Sequence, residues 1–176
     1  GPSSAPRVVV AGRARISTPV PSLVDTNVLV YRVDPRDPAK QRRATALLEA
    51  GIADRSLVLA HQSIIEFVAA TSRPRRGKAS LPLLPLAEAL VEAEQLIAQF
   101  DVLYPTRDVL VTAMRGVATY GLPWFDAQIW AIAEVHGLPE ILSEDFQHGR
   151  HYGRVRAINP FLAATRVHEL PALYEA

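Results

Sequence analysis

The sequence predicts an α/β domain with three layers, in which helices cover both faces of a central, mostly parallel sheet of four to five strands. Short apolar runs alternate along the chain with longer segments of helical periodicity. This order is typical of parallel strands joined by crossover helices. The 176 residues, 49% of them hydrophobic, are sufficient for one domain with a substantial core.

Five short apolar segments are predicted as strands. They are residues 23–24, 56–60, 101–104, 140–143 and 155–158. A parallel strand covered on both faces reads as a continuous hydrophobic run rather than an alternating one. The second segment, SLVLA, shows this pattern and therefore indicates a central position in the sheet.

Helices are predicted between these strands. They cover residues 38–50, 63–71, 83–100, 106–120 and 125–136. We expect Asp37 to cap the first helix and Gly51 to end it. Gly121 and Gly137 follow the last two helices, where a glycine can adopt the left-handed conformation that closes many helices.

Composition limits the possible classes of protein. Cysteine is absent, which excludes disulfides, thiolate catalysis and cysteine-bound zinc. No apolar run reaches the roughly 18 residues of a membrane span, and no secretory signal is recognisable, so we expect a cytoplasmic protein without a membrane partner. Residues 1–21, rich in Pro, Ser and Arg, are expected to form a mobile or loosely docked tail.

Acidic residues occur close to the predicted ends of several strands. Asp25 follows the first strand directly, and Glu144 and Asp145 follow the fourth. Glu66 lies in the helix after the second strand, and Asp126 lies at the start of the helix before the fourth. Because ligands of parallel sheets bind at the carboxyl ends of the strands, these side chains are predicted to meet at one edge.

Carboxylates that meet in one place repel one another, and burial raises their pKa. Divalent cations such as Mg²⁺ prefer carboxylate oxygens and relieve this repulsion. One or two such ions can activate water and stabilise the attacking and leaving oxygens of a phosphodiester. The stretch SLVDTNVLVY therefore places a metal ligand, Asp25, within an apolar run, with Thr26 and Asn27 to orient it or to bind a phosphate or bound water.

Each acidic residue also has a structural interpretation. Asp25 could cap the next helix, Asp126 could cap a helix that begins at residue 127, and Asp145 could belong to a turn. Glu66 is harder to explain in this way, because its neighbours are apolar and a carboxylate among them is costly. The coincidence of the four residues at one sheet edge favours the functional interpretation.

Four segments of the chain resemble the PIN domain, a family of metal-dependent ribonucleases that includes the VapC-type toxins of bacterial toxin–antitoxin pairs. They are LVDTNVLVY, SIIEFVAATSRP, LPWFDAQIWAIAEVHG and ILSEDFQHGRHYGRVRAINPF, in the family's order and at plausible spacing. The resemblance implies a nuclease domain over residues 22–161 with a C-terminal tail, residues 162–176. It also implies hydrolysis of RNA, a small antitoxin as partner and a homodimer.

The resemblance further implies an acidic quartet that carries catalysis and holds Mg²⁺ or Mn²⁺. The quartet consists of Asp25, Glu66, Asp126 and Asp145. Thr26 and Asn27 match the polar pair that supports the first acid, and Glu144 could substitute for the fourth. Pro123 departs from the pattern, because many relatives carry Ser or Thr three positions before the third acid.

Two basic segments are candidates for binding RNA phosphates. The candidate residues are Arg73, Arg75, Arg76, Lys78 and Arg150. With a net charge of +1 for the whole chain, any binding of nucleic acid must come from such local patches. An ordinary solvated loop at residues 73–78, and a surface turn with cation–carboxylate pairs around Arg150, are the alternatives.

Two other functions are compatible with parts of the sequence. A haloacid-dehalogenase-like phosphatase also begins with an Asp after an apolar strand, but it needs a second Asp where Asn27 stands and a catalytic lysine, for which the chain offers Lys40 and Lys78. A PIN-fold module that binds without catalysis is the second alternative. The intact acidic quartet argues against it.

Overall fold

The computed structural model describes residues 20–74 and 81–162, and within these ranges the chain forms six strands and six helices. The strands are β1 Ser22–Val24, β2 Leu57–Ala60, β3 Asp101–Leu103, β4 Glu140–Leu142, β5 His151–Tyr152 and β6 Val155–Ile158. The helices are α1 Thr26–Val33, α2 Pro38–Asp54, α3 His61–Ser72, α4 Leu86–Gln99, α5 Arg107–Tyr120 and α6 Trp124–His136. Most of both expected tails, and the basic residues Arg75, Arg76 and Lys78, lie outside the described ranges.

The strands form one sheet in the order β3-β2-β1-β4-β6-β5. The neighbouring pairs from β3 to β6 are parallel, and β5 is antiparallel to β6. The predicted, mostly parallel sheet is therefore confirmed, with β5 as an additional strand. Two residues are too few to produce a periodic pattern, so β5 could not be recognised from the sequence.

Alternate residues of each central strand enter two separate hydrophobic cores. Leu23 packs in one core with α5 and α6, and Val24 packs in the other with helices α1 to α4. Ile141 and Leu142 divide between the two cores in the same way. This division confirms the three layers and explains why the central strand β2 is apolar throughout. No helix in the described ranges is long and apolar enough to span a membrane.

Helix α1 was not predicted from the sequence, because the apolar run around it resembles a continued strand. Asp25 ends the strand and caps the helix, accepting a hydrogen bond from the Thr26 backbone N–H at 2.6 Å. Val28 and Leu29 are then fully buried. The run therefore turns from the sheet into a helix at the acidic residue itself.

Helix α2 begins as predicted, with the Asp37 side chain accepting from the Lys40 N–H at 3.0 Å. The expectation that Gly51 ends it is wrong, because the helix continues to Asp54. Gly51 is instead buried against β2, where an added Cβ would lie 2.2 Å from Leu57 Cδ1. Close packing of a helix on a strand explains this glycine.

The predicted glycine ends of α5 and α6 are confirmed. Gly121 and Gly137 have φ values of 66° and 68°, in the left-handed region. Their backbone N–H groups donate to carbonyl oxygens of the last helical turn.

Gly116 in α5 provides a test of the packing between α5 and α6. An added Cβ would lie 2.6 Å from Cε3 and Cζ3 of the buried Trp130 ring. Alanine has the higher helix propensity, yet we expect Gly116→Ala to lower the free energy of unfolding by about 1–3 kcal/mol, because the ring would have to shift from a position fixed by its Nε1–H bond to the Tyr152 carbonyl oxygen and by edge-to-face packing on Tyr120. Urea denaturation measures the change.

The control for this variant is Ala118→Gly on the exposed side of the same helix. It changes propensity without the steric conflict and should cost less than about 1 kcal/mol. A Gly116→Ala protein more stable than the wild type would contradict the packing argument.

Candidate active site

The candidate site lies where the direction of strand addition in the sheet reverses. The chain adds β2 and β3 on one side of β1, and β4 then pairs with β1 on its other side. The Asp25 backbone N–H donates to the Leu142 carbonyl oxygen at 3.1 Å, which joins the two segments just beyond the strands. A reversal of this kind opens a crevice at the carboxyl ends of the strands.

Asp25 is buried at this point, with 5% of its surface exposed. One carboxylate oxygen accepts from the Thr26 N–H at 2.6 Å, and the other accepts from the Ser143 hydroxyl at 2.6 Å. Burial raises the pKa of Asp25 from 3.8 to about 6, although both hydrogen bonds lower it, and the charges of Asp145 and Asp126 add to the increase. Asp25 therefore acts as a helix cap and also belongs to a group of carboxylates.

Asn27 connects the residues that follow β1 with those that follow β4. Its side-chain nitrogen lies 3.0 Å from the Ser143 hydroxyl, 3.0 Å from an Asp145 carboxylate oxygen and 3.4 Å from Asp25 Oδ2. The Asp145 backbone N–H donates to the same serine hydroxyl at 3.0 Å. Asn27 therefore contacts both the first and the fourth acid.

Glu66 is held from two sides on α3. One carboxylate oxygen accepts from the Thr26 hydroxyl at 2.9 Å, and the other accepts from the Gln62 amide at 2.8 Å. The same amide nitrogen lies 3.1 Å from the Phe125 carbonyl oxygen, in the first turn of α6. Thr26 therefore contacts Asp25 through its backbone and Glu66 through its side chain.

Asp126 lies in the first turn of α6 but is not its cap, which is Pro123. The capping interpretation of Asp126 is therefore wrong. Burial raises the pKa of Asp126, and the charges of Asp145 and Glu66 raise it further. These couplings show that the third acid lies close enough to the second and fourth to interact with both.

The described part of the chain contains no ion pair between a lysine or arginine and any of these four acids. Glu144 differs from them, because it forms an ion pair with Lys40 and accepts a hydrogen bond from the Tyr31 hydroxyl. The carboxylate oxygens match the preference of Mg²⁺ or Mn²⁺ for hard ligands. Within residues 20–74 and 81–162, however, no three Asp, Glu or His side chains already surround a point where a metal ion could bind.

Two adjoining grooves reach two of the four acids, Glu66 and Asp145. One, with a volume of about 380 Å³, is lined by Asn27, Glu66 and Asp145 among others. The second shares Glu66 and extends along α3 to Arg73. The other described basic candidate, Arg150, is exposed and stacks on the Tyr152 ring with its guanidinium carbon 4.6 Å from the ring centre.

Two residues of the site were not recognised from the sequence. Ser143 is the last residue of the predicted strand EILS, and a hydroxyl directly before two acids was the available signal. Gln62 lies one helical turn before Glu66, a spacing that places the two side chains on the same helix face. Both residues donate to an acid of the quartet.

Comparison with known proteins gives one family and several related structures. The family model described as PIN domain matches residues 22–153. A toxin–antitoxin complex from Klebsiella pneumoniae is similar with a TM-score of 0.56 at 18% identity, covering 79% of this chain and 97% of that chain. A comparison with curated proteins found no match.

Two further solved structures are similar over comparable lengths. FitAcB from Neisseria gonorrhoeae has a TM-score of 0.54 at 21% identity, covering 79% of this chain and 97% of that one. DNA-bound VapBC from Salmonella typhimurium has a TM-score of 0.56 at 13% identity, with coverages of 78% and 96%. At such identities the likeness shows the fold, and it agrees with the predicted fold class.

The raised pKa of Asp25 predicts how stability depends on pH without metal. Since the folded state holds the proton more tightly, stability falls as pH rises from the unfolded pKa of 3.8 to the folded pKa of about 6. The loss should reach about 3 kcal/mol for this group near neutral pH. Asp25→Asn removes the ionisation and should therefore be more stable than the wild type near neutral pH.

Urea unfolding in the presence of EDTA, from about pH 4 to about pH 7, measures this difference. Glu94→Gln, on the exposed side of α4, controls for the loss of a carboxylate elsewhere. If the free energy of unfolding of Asp25→Asn depended on pH as that of the wild type does, burial would not raise the pKa of Asp25 in the folded protein.

Proposed function

Because the chain belongs to the PIN domain family, we propose that it is a Mg²⁺- or Mn²⁺-dependent endoribonuclease that hydrolyses RNA phosphodiester bonds. The observation that carries this proposal is the set of four acids gathered beyond the ends of β1 and β4. Burial and mutual repulsion raise the pKa of two of them. Repulsion between carboxylates destabilises the folded protein, and a bound cation would offset it.

Asp25, Glu66, Asp126 and Asp145 would hold the ion. Bound there, Mg²⁺ or Mn²⁺ lowers the pKa of water and neutralises charge that develops on a phosphodiester. Asp25, Glu66 and Asp145 each accept a hydrogen bond from a neighbouring side chain. Asp126 is half-buried and Asp145 is exposed. We infer that rotation of the latter two side chains completes the site.

The polar neighbours would keep the acids in position. Ser143, Asn27 and Thr26 together donate to three of the four carboxylates. Such outer contacts orient metal ligands and commonly affect affinity strongly. Asn27 also supplies an amide and not the carboxylic acid that a haloacid-dehalogenase-like phosphatase would need at this position, which speaks against that alternative.

The grooves suggest a path for the RNA backbone. Arg73, at the end of the groove that shares Glu66, would bind a phosphate close to the acids. Arg75, Arg76 and Lys78 follow it in sequence and are proposed to extend the same contact. Arg150, stacked on Tyr152, is proposed to contribute a further phosphate contact.

We also propose that the protein is the toxin of a toxin–antitoxin pair, acting in the cytoplasm as a homodimer. Solved structures with this fold include a toxin–antitoxin complex and DNA-bound VapBC. Exposed apolar side chains support protein partners, since α5 presents Leu110, Met114 and Val117 at helical spacing. A small antitoxin and a second copy of the chain are the proposed partners.

Cleavage of RNA by the purified protein should require Mg²⁺ or Mn²⁺. Asp25→Ala and Asp126→Ala should each lower the cleavage activity at least about 100-fold. Removing a residue that only contacts a metal ligand can cost that much, and these variants remove a proposed ligand itself. Glu94→Ala, outside the site, is the matched control, and circular dichroism verifies that every variant folds. Equal cleavage in excess EDTA, or by both site variants, would contradict the proposal.

Metal binding should also be visible as stabilisation. Mn²⁺ at about 100 times its Kd should add about 2.7 kcal/mol to the free energy of unfolding, because the ion binds the folded state. The melting temperature of the metal-free protein should therefore rise on addition of Mn²⁺, and Asp25→Asn should reduce that rise. A melting temperature unaffected by millimolar Mn²⁺ would count against the metal site.

A further inference from the structure

Three side chains form a polar cluster beside the acidic quartet: Tyr31 from α1, Lys40 from α2 and Glu144 from the segment after β4. The Lys40 ammonium lies 2.5 Å from Glu144 Oε2 and 2.8 Å from the Tyr31 hydroxyl oxygen. The Tyr31 hydroxyl donates to Glu144 Oε1 at 2.5 Å. Both carboxylate oxygens of Glu144 are therefore occupied within this cluster.

Two aromatic rings lie beside the ammonium group. Lys40 Nζ lies 4.3 Å from the centre of the Tyr31 ring and 5.4 Å from that of Phe161. The two rings meet edge to face at 4.9 Å. The side chains of Lys40 and Glu144 are 29% and 23% exposed, so the pair is shielded from solvent more than an ordinary surface ion pair.

Glu144 and Asp145 are neighbours in sequence but have opposite environments. Asp145 lies 3.0 Å from the Asn27 amide and lines the groove with Glu66. Glu144 forms an ion pair with Lys40 and accepts a hydrogen bond from the Tyr31 hydroxyl. The resemblance in sequence assigns the fourth position to Asp145 and names its neighbour Glu144 as a possible substitute.

We propose that Lys40 is a positioning residue that holds the Glu144 carboxylate out of the metal site. Asp145 is then the acid from the segment after β4 that binds the metal. This inference rests on the proposed metal-dependent function. Without the Lys40 charge, Glu144 would be an unpaired carboxylate directly beside the quartet. It would then be attracted to a divalent ion in that site and could take the place of Asp145.

The test is a set of Mn²⁺ affinities measured by isothermal titration calorimetry. Asp145→Ala should weaken binding about tenfold or more. Adding Lys40→Met, which keeps an unbranched side chain against the rings but removes the charge, should recover about threefold or more of the lost affinity. Adding Glu144→Gln to this double variant should abolish the recovery of Mn²⁺ affinity, because the carboxylate that replaces Asp145 is then absent.

Lys40→Arg is the matched control, because it retains the cation. In the Asp145→Ala background it should leave Mn²⁺ binding as weak as in the single variant. A purely structural role for Lys40 would lower thermal stability in the Lys40→Met proteins without any recovery of metal affinity.

The outcomes separate this inference from the proposed function. Wild-type binding of Mn²⁺, loss in Asp145→Ala and no recovery with Lys40→Met would overturn the role of Lys40 alone. Recovery that persists after Glu144→Gln would overturn it as well. A wild-type protein that binds no Mn²⁺ would overturn the proposed function and, with it, the inference.

Discussion

The placement of a buried carboxylate at the end of a central parallel strand is the constraint on which the rest of the site depends. Asp25 is buried directly after a strand whose last two residues, Leu23 and Val24, pack into the two cores, and its ionised form is disfavoured there. The local structure compensates with three donors, the Thr26 N–H, the Ser143 hydroxyl and the Asn27 amide. These donors hold the carboxylate in one orientation, but none of them supplies a positive charge.

The order of the strands explains why these donors and the other acids meet. Because β4 joins the sheet next to β1, the polar residues after both strands share one crevice. Helices α3 and α6 then bring Glu66 and Asp126 to the same crevice, and Gln62 links the two helices. The two hydrophobic cores hold these strands and helices in place, so the fold fixes the backbone positions of the acids.

Charge is distributed unevenly around this crevice. Glu144 is paired with Lys40, whereas the acids of the quartet have no lysine or arginine partner in the described ranges. A protein that required only stability would gain by pairing the quartet too, since a buried charge without a partner is costly. The selective pairing of Glu144 therefore favours the proposal that the quartet is a cation site.

The sequence by itself determined the alternation of strands and helices, the caps at Asp37, Gly121 and Gly137, and the acids beyond the strand ends, because apolar periodicity and capping act between near neighbours. The tertiary structure decided the strand order, the burial of Gly51 against Leu57, and the partners of Thr26 and Glu144. It also brought Ser143 to Asp25 and to Asn27, which lie 118 and 116 residues away along the chain. Contacts over such separations depend on sheet register and side-chain rotamers, which no local pattern encodes.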